Sequence, residues 1–396
     1  MSIVESRNEN APSPLPASEQ TPHLKLPPGL VATRLEASLR SSGRSLCYVA
    51  LSENAAQKIA NAMAALFPSV QFIVLPPWDC LPYDRVPPSR HCMGRRMDAL
   101  RIWARPSDTP RLLLTSIDAT LQRIPPAGVI ADGQIELVVG QPFDREAFLN
   151  FVRRSGYVEE GVADDPGELA VRDGMIDIYP AGAPGPMRIV LSEDDHVTEL
   201  RGFDRVSQRT ESYLERLSFG PASEAILADV IAVAPAPKSE TMERQLSRLY
   251  PDMVTVFDIL GNAALTAAPG AADRVVRNLE IIDDARQSRT EFGKTGTSSP
   301  CSFYLDSEEW EQRFTGVQTS ALDLEQGGDL PSGASDADPR KALVKFAQER
   351  LGDGMKVVIS GHGKASEALC RRVAKATGVS PRSVDSWTQV MDAESG

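Results

Sequence analysis

Two Gly-Lys pairs are the residues best suited to hold a phosphate. A phosphate loop draws backbone N–H groups from a glycine-rich turn, adds a lysine and a Ser or Thr, and so reads G-x-x-x-x-G-K-[ST]. Neither pair fits. At Gly363-Lys364 the first-glycine position is Val358 and the residue after the lysine is Ala365. At Gly293-Lys294-Thr295 that position is Ser288, in a helix-like segment with no strand before it. No lysine occurs between Lys58 and Lys238, which leaves no phosphate loop mid-chain. Asp164-Asp165 and Asp194-Asp195 are adjacent carboxylates, but they stand in turn-like sequence and read as solvated turn residues. His23, His91, His196 and His362 show neither zinc-ligand spacing nor an H-E-x-x-H helix, and no G-x-S-x-G elbow occurs. Cys47, Cys80, Cys92, Cys301 and Cys370 are scattered and form no C-x-x-C pair, the usage of a cytosolic chain. The expectation is a chain without metal, cofactor or enzymatic activity.

Charge separates two regions. Residues 136–216 hold 17 Asp and Glu against 9 Arg and no Lys, a net of −8, and suit a protein partner better than a phosphate backbone. Residues 85–123 hold 8 Arg against 3 Asp, a net of +5. Within them Arg90, Arg95, Arg96, Arg101 and Arg105 are the candidate nucleic-acid contacts, with a solvated helix face as the plain alternative. No apolar run reaches the roughly 18 residues of a membrane span, so no membrane partner is expected. The first 22 residues lack the apolar core of a secretory signal and read as a disordered tail over 1–23.

These residues need a scaffold, and the apolar pattern supplies one. SLCYVAL (45–51), VQFIVLP (70–76) and RLLLTS (111–116) are short Val/Ile/Leu-rich runs of the kind found in buried parallel strands. Between the first two, residues 53–67 place Ile59, Met63 and Phe67 at helical spacing behind a Ser52 N-cap, and Arg90–Ala104 forms the next crossover helix. From Ile135 the grammar changes to an α+β module. Phe143, Ala147 and Phe151 mark a helix, and short alternating strands follow with turns at Asp173-Gly174 and Asp194-Asp195. Farther on, PDMVTVFDIL and TSALDL read as strands and residues 273–292 as a helix. Residues 325–339 read as a Gly/Ser/Asp/Pro linker, and 340–396 as a small α/β unit of helix, MKVVIS strand and helix. The fold class is α/β.

The order of the motifs then carries a resemblance. LPPWDCLPYDRVPPS, RRMDALRIWA and LLLTSIDATLQRIPP, followed by GQPFDREAFLNFVRRSGY, GELAVRDGMIDIYPAG and FDRVSQRT, resemble the UvrB-homologous N-terminal part of the bacterial transcription-repair coupling factors. The resemblance is looser over CSFYLDSEEWEQRF and the terminal unit. It implies a degenerate helicase-like parallel-sheet domain over 24–134 and 217–324, split by a UvrA-binding insertion over 135–216, and without the nucleotide loop that UvrB carries. It further implies a non-catalytic adaptor that recruits UvrA in nucleotide excision repair. RNA polymerase and DNA would be engaged only by family domains that this chain lacks, which makes it a portion or a shortened relative. Two UvrA-contacting arginines of the family fall on Arg172 and Arg188. A third contact, an aromatic, falls on Ser192, a departure. Without the resemblance, either arginine serves equally as a cross-strand ion pair with Glu168 or Asp177. The alternatives are an ATP-binding helicase-like domain and an Arg-rich, non-specific DNA-binding protein.

Overall fold

The structure, a computed structural model, describes residues 26–82, 86–226, 246–292, 303–317, 338–359, 364–384 and 387–393. The 1–23 tail, the TSALDL segment and both Gly-Lys motifs except Lys364 lie outside these residues, as does all of the 325–339 linker but its last two positions. Two compact units divide the chain. One takes in 39–58 and 71–321, the other 25–38, 59–70 and 322–396.

The first elements are α1 (Pro28–Ser42), β1 (Leu46–Ala50), α2 (Glu53–Leu66), β2 (Phe72–Val74), α3 (Arg90–Ala104) and β3 (Leu112–Ser116), with short α4 (Ile117–Thr120) and α5 (Ala127–Asp132) behind them. All five residues of both β1 and β3 are buried, as the continuous apolar runs demand of strands covered on both faces. Ser52 caps α2 by accepting from Ala55 N, and Ser89 caps α3 by accepting from Cys92 N. The module follows, with β4 (Ile135–Val138), α6 (Arg145–Arg154), β5 (Val158–Glu159), β6 (Glu168–Arg172), β7 (Met175–Ile178), β8 (Met187–Leu191), β9 (Val197–Phe203), β10 (Thr210–Leu214) and β11 (Arg216–Phe219). The larger unit closes with α7 (Leu246–Leu249), β12 (Ala264–Ala267), α8 (Ala271–Phe292) and α9 (Ser307–Gly316). The smaller unit takes most of α1 and the second half of α2 and carries α10 (Pro339–Gly352), α11 (Lys364–Thr377) and α12 (Trp387–Asp392).

One sheet is parallel, in the order β12-β1-β3-β2. A second has six strands in the order β10-β9-β8-β7-β6-β5, antiparallel except for the β5–β6 pair, and a third is the β4–β11 pair. The module is a closed insertion, because its entry strand β4 pairs antiparallel with its exit strand β11, Ile135 opposite Phe219. Its core gathers Phe143, Phe148, Phe151, Tyr157, Ile176, Ile189 and Phe219. On α6 it is Phe148, not Ala147, that turns inward; Ala147 is exposed. The turn at Asp173-Gly174 is a two-residue hairpin, and Gly174 takes φ +69°, which only glycine adopts at no steric cost.

Two expectations fail for identifiable reasons. PDMVTVFDIL is a 3-10 turn at Val256–Ile259, because the Asp258 carboxylate accepts from both Thr255 N (2.8 Å) and Thr255 Oγ1 (2.7 Å) and closes the backbone on itself. The strand beside β1 is instead Ala264–Ala267. MKVVIS forms no strand over 355–359, and the regular elements among the described residues of the terminal unit are helices. Among those residues the run has no second strand to pair with, and so no ladder to join.

The module is fastened to the parallel-sheet domain through α3. Cβ atoms placed at Gly94 and Gly182 would overlap Ala181 and the Asp98 carboxylate, so the helix and the 180–182 loop touch backbone to backbone. Two residues farther along α3, Arg96 is fully buried. Its Nε donates to Glu224 Oε1 at 2.5 Å, and its Nη1 to Pro76 O at 2.7 Å and Gln122 Oε1 at 3.1 Å. Trp78 Nε1 donates to the same Glu224 oxygen at 2.8 Å. Arg96→Met should lower the unfolding free energy in urea by about 3–5 kcal/mol, since it strands a buried carboxylate. Arg96→Met/Glu224→Gln, which leaves no unpaired charge, should lose less than Arg96→Met alone.

Candidate functional site

The side chains of β7 to β10 alternate between the module core and an outer face. Cross-strand register places Asp177, Arg188, Arg201 and Tyr213 in one row across that face. The neighbouring row holds Arg172, Met175, Val190 and Glu199. Asp177 lies at the centre and is 1% exposed. A buried carboxylate at this place needs donors, and both candidate arginines supply them. Arg188 donates from Nε at 2.6 Å and from Nη2 at 2.9 Å, and Arg172 donates from Nη1 at 2.9 Å. The cross-strand partner is therefore Asp177, not Glu168, whose carboxylate accepts from the Asp164 and Asp165 backbone instead.

This clamp fixes the guanidinium groups without using them up. Arg172 also donates from Nη2 to Gly161 O, and its side chain remains 43% exposed. Arg188 reaches Gln208 Oε1 and stacks its guanidinium carbon 4.8 Å from the centroid of the Phe203 ring. The bonds to Asp177 hold the Arg188 guanidinium above its ordinary pKa. Among the described residues its Nη1 has no hydrogen-bond partner, and this nitrogen can donate to a partner carboxylate in a charge-assisted hydrogen bond.

Ser192 lies just past β8, in the turn that leads to β9. Its hydroxyl donates to Asp194 Oδ1 at 2.7 Å and accepts from His196 N at 3.0 Å. The hydroxyl holds the Asp194 carboxyl below the usual carboxylate range. The serine thus closes a tight turn in which Asp195 takes φ +51°. An aromatic residue here would lose both hydrogen bonds.

Of the five candidate nucleic-acid contacts, Arg96 and Arg101 are taken up inside the protein. Arg96 is fully buried on Glu224, and Arg101 is 8% exposed, bound to Asp98 at 2.9 Å and Gln134 at 2.8 Å. Each is held by a polar partner inside the protein, so neither can meet a phosphate. Arg90 is half-buried, and its stem runs close alongside Gly167. Arg95 and Arg105 line a groove of about 620 Å³ beside β2, where Arg111 also lies. Among the described residues no group of three or more His, Cys, Asp and Glu could hold a metal, and no helix is long and apolar enough to cross a membrane.

Arg201 and Tyr213 were not singled out in the sequence, although each occupies an outward position in an alternating strand. Tyr213 is 71% exposed, with the Arg201 guanidinium carbon 5.6 Å from its ring centroid.

Comparison with known proteins places this face within a described domain. Residues 135–224 match the UvrB interaction domain family. The chain is 30% identical over 382 residues to a transcription-repair-coupling factor of Myxococcus xanthus, covering 85% of this chain and 30% of that protein. It is 25% identical over 189 residues to that of Bacillus subtilis (48% of this chain, 15% of the relative) and 29% over 147 residues to that of Escherichia coli (37% and 12%). The chain thus spans less than a third of the length of these relatives.

Asp177→Ala tests the clamp. Removing a buried acceptor that serves two charged donors should cost about 1–3 kcal/mol in urea unfolding. The lower part of that range is expected, because both arginines can turn to solvent.

Proposed function

With residues 135–224 a UvrB interaction domain in a chain homologous to the transcription-repair-coupling factors, we propose that this protein is an adaptor that recruits UvrA during transcription-coupled nucleotide excision repair. The observation that carries the reading is the double clamp. Arg172 and Arg188, brought together on one buried carboxylate, offer two fixed guanidinium groups on the outer face of the matched domain. Pre-ordered forks lose little rotamer freedom on binding, so more of their pairing energy remains as affinity.

The adaptor itself performs no nucleotide chemistry on this reading. Phosphate loops of α/β sheets sit at the first strand-to-helix junction. Here that junction is only Leu51 and Ser52, between β1 and α2, and Glu53 puts a carboxylate in the first helical turn. A carboxylate in that turn repels a phosphate at the same helix end. ATP hydrolysis should be absent with or without DNA. A DNA-stimulated turnover abolished by Lys364→Ala would overturn this and favour the helicase-like reading.

Binding to UvrA is the direct test. Arg172→Ala and Arg188→Ala should each weaken it, by about thirtyfold for a loss of ~2 kcal/mol. Each variant also removes donors from buried Asp177, so thermal unfolding must first show it folded at the assay temperature. A folded double variant with wild-type affinity, measured by calorimetry, would overturn the interface.

A further inference from the structure

We propose that the UvrA-binding face continues across the two outermost strands of the sheet, and that Tyr213 is its aromatic anchor. This rests on the UvrA reading above and names a contact residue that the reading did not include. Asp177, Arg188, Arg201 and Tyr213 follow one another along a single line of cross-strand neighbours on β7, β8, β9 and β10. Neighbouring strands lie about 4.8 Å apart, so the tyrosine backbone stands about 10 Å from that of Arg188, within the footprint of one partner segment. β10 is the edge of the sheet, which leaves the ring approachable from the face and from the side.

Two rings on this face each lie against a guanidinium group. Phe203 lies under Arg188 and is 3% exposed, a ring already covered. Tyr213 lies beside Arg201 and is 71% exposed. The Arg201 guanidinium is oriented by Glu199, whose Oε2 accepts from Nε at 2.6 Å, and it supports one side of the tyrosine ring. A large ring held in place by a neighbour yet open to solvent loses little freedom when a partner covers it. Tyr and Arg are also the residue types enriched at the centres of protein interfaces. The charge fits the same partner. Across the row and its neighbours Arg172 and Glu199, three guanidinium groups stand against two carboxylates, a net of +1, whereas residues 136–216 as a whole carry −8. The face is the part of an acidic module that a carboxylate-bearing surface can approach. The occupant is therefore a UvrA segment that places acidic side chains over Arg172 and Arg188 and an apolar patch over Tyr213.

The test measures UvrA affinity of the full chain by calorimetry, for wild type, Tyr213→Ala, Tyr213→Thr, Tyr213→Phe and Arg188→Ala. Thr keeps strand propensity at the edge position and guards against an effect of Ala on the sheet. Tyr213→Ala and Tyr213→Thr should each lose about thirtyfold or more, while Tyr213→Phe should stay within about threefold, since the ring carries the contact. If Arg188→Ala loses binding while Tyr213→Ala and Tyr213→Thr keep wild-type affinity, the anchor is overturned and the UvrA reading stands. Wild-type affinity in all four variants overturns both.

Discussion

A guanidinium does not give up its proton inside a protein, so a fully buried arginine obliges the fold to bring acceptors to it. Arg96 imposes that constraint on the larger unit. Its acceptors come from three separate places: the end of β2 through Pro76, the segment after α4 through Gln122, and the exit of the inserted module through Glu224. These lie 20, 26 and 128 residues away in sequence. Helix α3 can pack as it does only when all three have arrived. The buried charge thus couples closure of the parallel sheet to return of the chain from the module. Tyr157 reinforces the joint from the module side by donating to Gly220 O at 2.8 Å, four residues before Glu224.

Because entry and exit strands β4 and β11 pair with each other, the module leaves and rejoins the scaffold at one place. Its six-stranded sheet has a core of its own, and its outer face takes no part in the joint at Arg96. Residues on that face can therefore differ among relatives without disturbing the parallel sheet. The Ser192 hydroxyl serves its own turn between β8 and β9, and an exposed aromatic ring, Tyr213, stands on β10.

The local signals were legible in the sequence and the distant ones were not. The start of α3 follows from Pro87 and Pro88, which break helical periodicity just before it, and β1, β2 and β3 lie within uninterrupted apolar runs. The hairpin at Asp173-Gly174 follows from turn chemistry that needs only two residues. The short run around Val256 misled because periodicity cannot tell a strand from a capped turn; the Thr255–Asp258 pair three residues apart was the discriminating signal. The α3 arginines misled for a different reason. Composition shows how many charges a stretch carries, but burial depends on a partner, and Glu224 stands far beyond the local window.

The same distinction explains why the candidate site was half readable. Arg172 and Arg188 stand on strands whose alternation is visible, and Asp177 was one of two carboxylates near enough to pair with them. Only the register selects Asp177 over Glu168, because it sets Asp177 directly opposite Arg188 while Glu168 falls at the far end of β6 and turns to the Asp164-Asp165 backbone. The selection matters for function. A surface carboxylate facing the arginines would compete with a partner for their donors. A buried one anchors them from beneath and leaves the outward N–H groups to be satisfied by whatever docks. Two cations held side by side in this way repel each other less than bare ones, because Asp177 neutralises part of the pair. The remaining positive charge is directed outward, in a segment that is otherwise acidic. The face is thus held rigid by the module and electrostatically distinct from it, which is the combination that a selective protein contact requires.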